Sequence, residues 1–451
     1  MQEKTGQKVN KIILILTSIM FFVSCNEKKE TIIPSDLELK MNMIAEDYVK
    51  LVLNIGQYDA DFVDAYYGPK EWRTNLNSNL PFDSTAYKNL STKTDDLLNE
   101  LESLGKYKAT ELETLRFRYL YKQLLACKTK IAMLNGVTLP FDEETKALYD
   151  ASAPTHNDEY FQSAITELDK ILPGKGDVAK RLNDFRTKFV IPADKLKDVF
   201  DAAIKECRTR TLAHIKLPET ESFKVDYVKD KPWGAYNWYK GNYYSVIQVN
   251  TDLPIYIDRA IDLAAHEGYP GHHVYNVLLE ENLAEKRNWI EFKIYALFSP
   301  QSLIAEGTAN FGIEMAFPGD EQIKFEKEVL FPLAGLDPQN AELYYKVLNL
   351  QKNFSYSGNE AARNYLDDKW TREQTVEWLQ KNTLRTKESA DKYVSFIEKY
   401  RSYVINYNLG MDIVKNYIER NGGTENNPAK RWELFEHLLS TPQTPGGLVK
   451  K

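Results

Sequence analysis

The chain has 451 residues, 43% of them hydrophobic and 27% charged, and carries a net charge of -7. That balance excludes a largely disordered protein and leaves enough chain for one large core or two. The acidic excess, with no strong Lys/Arg cluster, excludes nucleic acid as a partner, because phosphate binding needs a basic face.

The first 25 residues differ from the rest: a lysine-bearing start, the apolar run "IILILTSIMFFVS", then Cys25. The run is too short and wrongly flanked for a spanning helix. Its end, "FVSC", resembles a bacterial lipoprotein cleavage site, in which Ser24 precedes a cysteine that takes lipid and becomes the mature terminus. Residues 1–25 therefore read as a signal peptide with lipidated Cys25, and 26–36 as a tether. The expected location is the bacterial envelope, facing the periplasm or exterior, with the membrane as a partner through the anchor. Cys127 and Cys207 both fall in helix-like segments, where two buried thiols are commoner than a disulfide.

Over 37–217 apolar residues recur at three- and four-residue spacing, most clearly in "LRFRYLYKQLLACKTKIAML", so this region reads as helical. Helix stops are expected at "YYGPKEW", "LNGVTLPFD" and "ILPGKGD". From Ser222 to Thr251 the texture turns to Tyr, Trp and Val with partial alternation, which reads as a small antiparallel sheet. Helical pattern resumes at Pro254 and again over Leu303–Phe317, Ala341–Ser355, Arg372–Lys381, Lys387–Tyr400 and Met411–Arg420. The fold class is thus mainly α, with one small sheet just before a histidine-bearing helix. Residues 218–451 are expected to carry the chemistry.

That chemistry centres on "AAHEGYPGHHV", which puts three of the six histidines into eight positions. His266 and Glu267 are adjacent as in the HExxH signature, but the i+4 position is Pro270. His272 and His273 remain as partners for His266. In an unbroken helix His273 returns to within about 20° of His266 but lies roughly 10 Å along the axis, while His272 is roughly 120° off the face. Pro270 cannot donate to the His266 carbonyl, and Gly268 and Gly271 permit unusual backbone angles. A bulge or break there favours His272, leaving His273 as a supporting or substrate-contacting group.

Downstream, "SPQSLIAEGTANFGIEMAF" places Glu306 and Glu314 on an otherwise small and apolar helix. Burying carboxylates there requires a counter-charge, and a metal ion is one. The small neighbours of Glu306 would let this helix approach the histidine helix, and Glu314 could orient a ligand.

"HEGYPGHH", followed by "AEGTANF" and later "YRSYVINYNLGMDIV", resembles the bacterial family with an HE-x-x-PGHH signature, labelled domain of unknown function 885 and grouped with the HExxH zinc metallopeptidases. The resemblance implies a gluzincin-like, metallopeptidase-like fold and one Zn2+ held by His266, His272 and Glu306. It also implies Glu267 as general base and, at the aligned late segment, Tyr407 as a donor to the oxyanion. Thr308 stands where the family often has an aromatic, and the usual Pro-Gly-Gln before the late tyrosine is missing. Arg401 and Arg363 could hold a substrate carboxylate. The expected function is a zinc-dependent peptidase. Its rivals are a non-catalytic peptide- or glycan-binding lipoprotein on the same fold, and a metal hydrolase of a non-peptide amide or ester.

Overall fold

The computed structural model describes residues 33–73, 80–231 and 233–449, so the signal peptide, Cys25 and tether residues 26–32 lie outside the described residues. Helices begin where short polar side chains can cap them. Ser35 accepts from the Glu38 amide to open helix Asp36–Ile55, and Thr110 and Glu113 form a reciprocal capping box at helix Glu111–Leu134. The latter buries Arg116, Tyr119, Leu120, Gln123, Leu124, Cys127 and Ile131, the stripe that its spacing anticipates. It stops where expected, with Gly136 taking a φ of 87°.

Helices dominate throughout. The later ones fall at Pro300–Ala316, Ala341–Gln351, Arg372–Thr383, Lys387–Tyr400 and Ile405–Arg420. Strands are few: β1 (Val63–Tyr66), β2 (Ser222–Val228), β3 (Ala235–Tyr239), β4 (Tyr244–Asn250) and β5 (Ile294–Ala296). The sheet expected over Ser222–Thr251 has the order β2-β4-β3. Antiparallel pairing holds for β3 with β4, whereas β2 runs parallel to β4. The reason is the connection after β2. It crosses the end of β4, where the Asn250 amide donates to the carbonyls of Lys231 and Trp233, and so returns β3 on the far side. Edge position therefore falls to β2 and β3.

The two regions expected to meet near 217 share one core, and Pro34–Lys451 form a single unit. β1 pairs antiparallel with β5. Arg116, fully buried, gives Glu291 a bidentate pair at 2.6 and 3.0 Å, and the Trp289 indole donates to Glu38 at 2.6 Å. Cys127 and Cys207 are separate buried thiols. No helix among the described residues is long and apolar enough to cross a membrane.

Helix Pro300–Ala316 runs through the middle, buried along nearly its whole length. Its glycines fix what it touches. A Cβ on Gly307 would stand 2.4 Å from the Gly410 backbone, and one on Gly410 would stand 2.6 Å from the Leu303 carbonyl oxygen. Gly307 thus seats helix Ile405–Arg420, and it is Gly312 that faces the histidine segment, with Pro270 Cγ 3.2 Å from its would-be Cβ. Replacing Gly307 with alanine should cost about 1–3 kcal/mol of stability through overpacking, measured by denaturant unfolding.

Glu326 is fully buried, with one oxygen accepting from Gln322 at 3.0 Å and the other unpartnered. Burial pushes its carboxyl up to about 8. An unfolded glutamate titrates near 4.3, so the folded chain keeps a proton that the unfolded chain has released. The resulting stabilisation is complete below about pH 4.3 and is lost as pH rises through 8. Thermal melts across that window should show a decline with pH that Glu326→Gln flattens.

Candidate metal centre

The histidine helix does not continue through the motif. Helix Asp258–Leu263 passes into a π-helical turn, Ala264–Gly268, in which the Tyr269 amide donates to the Ala264 carbonyl at 3.0 Å. The chain then bends, Gly271 N donates to the Ala265 carbonyl at 2.8 Å, and a new helix opens at His272. Only glycine fits at the bend: a Cβ on Gly271 would lie 1.9 Å from the His266 carbonyl oxygen and 2.4 Å from that of Ala265.

This break brings His272 back to His266. Their Nε2 atoms are 3.2 Å apart, with the rings nearly perpendicular at 86°. Glu306 Oε2, from the central helix, lies 3.4 Å from His266 Nε2 and 3.8 Å from His272 Nε2. Ligand atoms about 2.0–2.1 Å from a tetrahedral zinc lie roughly 3.3 Å from one another, so the three separations fit one such ion. The donor set, two imidazoles and a carboxylate, is of the type that leaves a fourth position open. Glu306 is 8% exposed, and its Oε2 is buried without a hydrogen-bond partner, an unfavourable state that a cation would relieve. Burial works to raise the Glu306 carboxyl. The neighbouring imidazoles, His266 first and then His272, outweigh it and hold the group far below the usual carboxylate range.

Two residues that sequence reasoning missed orient these ligands. Asn310 Nδ2 donates to the Tyr407 carbonyl at 2.8 Å, which turns its Oδ1 toward His266 Nδ1 at 2.9 Å. The His266 proton therefore sits on Nδ1 and the Nε2 lone pair faces the cluster. Tyr403 donates its hydroxyl to Glu306 Oε1 at 3.0 Å, leaving Oε2 for the centre. The signal for Asn310 was present in its position four residues after Glu306, one turn along the same helix face. Tyr403 bears the same relation to Tyr407.

Glu267 and Tyr407 line the cleft of 1460 Å³ that opens over the cluster. Tyr407 is 39% exposed, and its ring meets that of Tyr403 edge-on at 5.8 Å. Desolvation in the cleft, with the charge on Glu306, holds its hydroxyl above the ordinary value, so it stays a donor. The edge strand β3 lines the same cleft and is tied to the motif by Asn237 Nδ2, which donates to the Glu267 carbonyl at 2.6 Å.

The other expected site residues lie elsewhere. His273 is fully buried and turns away from the cleft, its Nδ1 2.9 Å from Ser245 Oγ and its Nε2 2.9 Å from Glu221 Oε2. Adjacent helical residues point about 100° apart, so His272 and His273 cannot both face the centre. Tyr269 and Arg208 also donate to Glu221, at 2.6 and 2.7 Å. Burial would raise the Glu221 carboxyl, but these partners, His273 first, bring it down to about 2. His273 thus braces the bend and touches neither ligand nor cleft. Glu314 is rotated about 80° from Glu306 and pairs with Lys415 at 2.8 Å, away from the cluster. Arg401 is engaged by buried Glu144 at 2.8 and 2.9 Å, and Arg363 by Asp142 and Glu360 at 3.0 and 2.7 Å, so neither guanidinium reaches the cleft.

Fold and site together define a mainly helical protein with a candidate divalent-metal centre at the floor of a large cleft. No protein-family model matches the chain, and no curated protein gives a significant match. Among solved structures it is similar to a crystal structure from Colwellia psychrerythraea, provisionally described as a lipoprotein. The TM-score is 0.50 at 15% identity, covering 80% of this chain and 68% of that one, and the likeness concerns the fold alone.

Loss of the Asn310 contact should loosen the His266 ligand. Asn310→Ala should weaken zinc binding by about 10–100-fold, read by competition with a chromogenic chelator.

Proposed function

We propose that the protein is a zinc-dependent peptidase of gluzincin-like build, anchored to the bacterial envelope through Cys25. The observation that carries this reading is the convergence of His266, His272 and Glu306, with an unpartnered buried Oε2, beside a free carboxylate, Glu267, in the same cleft. The HE-x-x-PGHH resemblance supports the same assignment. The FVSC sequence supports the anchor, and the lipoprotein description of the Colwellia protein is compatible with it.

Zinc bound by these three residues would lower the pKa of water and polarise a substrate carbonyl. Glu267 takes the proton from the attacking water and returns it to the departing amine. Tyr407 donates its hydroxyl to the carbonyl oxygen as negative charge develops there. Tyr403 and Asn310 hold the ligands in place and do no proton transfer. An extended peptide fits the geometry because β3 is an edge strand: one side pairs with β4 and the other is left for a substrate main chain.

Glu267→Gln should keep one equivalent of zinc and lose about 10²–10⁴-fold in turnover of a mixed peptide library, while Glu306→Ala should lose zinc and turnover together. Equal product from wild type and Glu267→Gln would leave a binding protein in place of a hydrolase.

A further inference from the structure

The cleft holds a second constellation, on β1 and β3. Asp64 lines the cleft from β1, and the Tyr236 hydroxyl on β3 donates to its Oδ1. Its sequence neighbours Asp59 and Asp61 pair with Lys130 and Lys399, whereas no lysine or arginine among the described residues pairs with Asp64. Arg259, the cation on the histidine helix, is held by Asp262. Burial first, then the charges of Glu306, Asp61 and Glu267, bring the Asp64 carboxyl up to about 7. An anion kept at such a disadvantage gains most from a cationic ligand.

Aromatic rings line the same cleft. The Tyr236 ring lies 5.7 Å from Trp233 and 4.6 Å from Trp238, each pair tilted by about 40°, and Trp233 and Tyr236 line the cleft with Asp64. The far end of this row already holds a cation of the protein's own, with Lys240 Nζ 5.2 Å from the Trp238 ring centre. A carboxylate that shares a cleft with electron-rich rings attracts ammonium and guanidinium groups by charge, and the rings add cation–π contact.

We propose that Asp64, with the ring faces of Tyr236 and Trp233, binds the ammonium or guanidinium group of the substrate, so that the cleft selects peptides carrying positive charge. This rests on the peptidase reading and narrows it to a substrate class. The charge can come from the amino terminus or from a lysine or arginine side chain.

The test uses hexapeptides with lysine, or its neutral isostere norleucine, at each position in turn, each made with a free or an acetylated amino terminus. Cleavage by the zinc-loaded protein is followed by mass spectrometry. The charged member of a pair should be favoured by about tenfold in kcat/KM, and Asp64→Asn should bring that ratio close to one. Loss of preference on acetylation assigns the site to the amino terminus; preference confined to one lysine position assigns it to a side chain. If Asp64→Asn does not fold, Trp233→Leu should lower the ratio several-fold. A wild-type ratio near one, or a ratio unchanged in the variants, overturns the assignment. Calorimetric binding of the same pairs to Glu267→Gln separates the two readings. A charge preference in binding without hydrolysis by wild type ends the peptidase reading and leaves the cation subsite. Hydrolysis without preference does the reverse.

Discussion

A carboxylate on a buried, apolar helix organises this molecule. Glu306 sits among alanines and glycines, where an ion without partners is expensive, and only one of its oxygens is satisfied, by Tyr403. Its other oxygen meets two imidazoles that the chain brings together by breaking a helix. The surrounding architecture can be read as the means of holding three donors at separations that suit one small ion.

The holding is done by backbone contact more than by polar linkage. Gly271 allows the bend, Gly312 admits Pro270, and Gly307 and Gly410 let two helix backbones touch, so the helix bearing Glu306 has no freedom to slide. Polar groups then orient what packing has placed: Asn310 sets the His266 tautomer, and the Glu221 network pins His273 and with it the start of the second histidine helix. Buried Glu144 plays a similar part farther out. It accepts from Arg401 and from Ser402, at a turn where Arg401 adopts a φ of 53°, immediately before Tyr403.

The cleft joins this floor to walls of different character. β3 contributes an open edge and aromatic faces, β1 contributes Asp64, and the segment after Arg401 contributes Tyr407. Residues from both halves of the chain thus meet at one site, because β1 pairs with β5 and β5 leads directly into the helix that carries Glu306.

Helix positions were legible because they depend on local periodicity and on punctuation such as Asn135-Gly136, and the convergence of His272 and Glu306 with His266 was legible because few residue types have reason to gather in apolar surroundings. The need for a distortion between Gly268 and Gly271 followed from Pro270, whose missing amide is a local property. What lay beyond the sequence was direction. Whether His273 faces the cleft, whether Glu314 turns toward the cluster, and whether Arg401 reaches a substrate or a buried glutamate are set by helix rotation and by partners between 28 and 257 residues distant. The parallel course of β2 and the placement of Asp64 over the site are of the same kind. Side-chain type is written locally, whereas the environment that gives it a task is assembled only when remote segments pack.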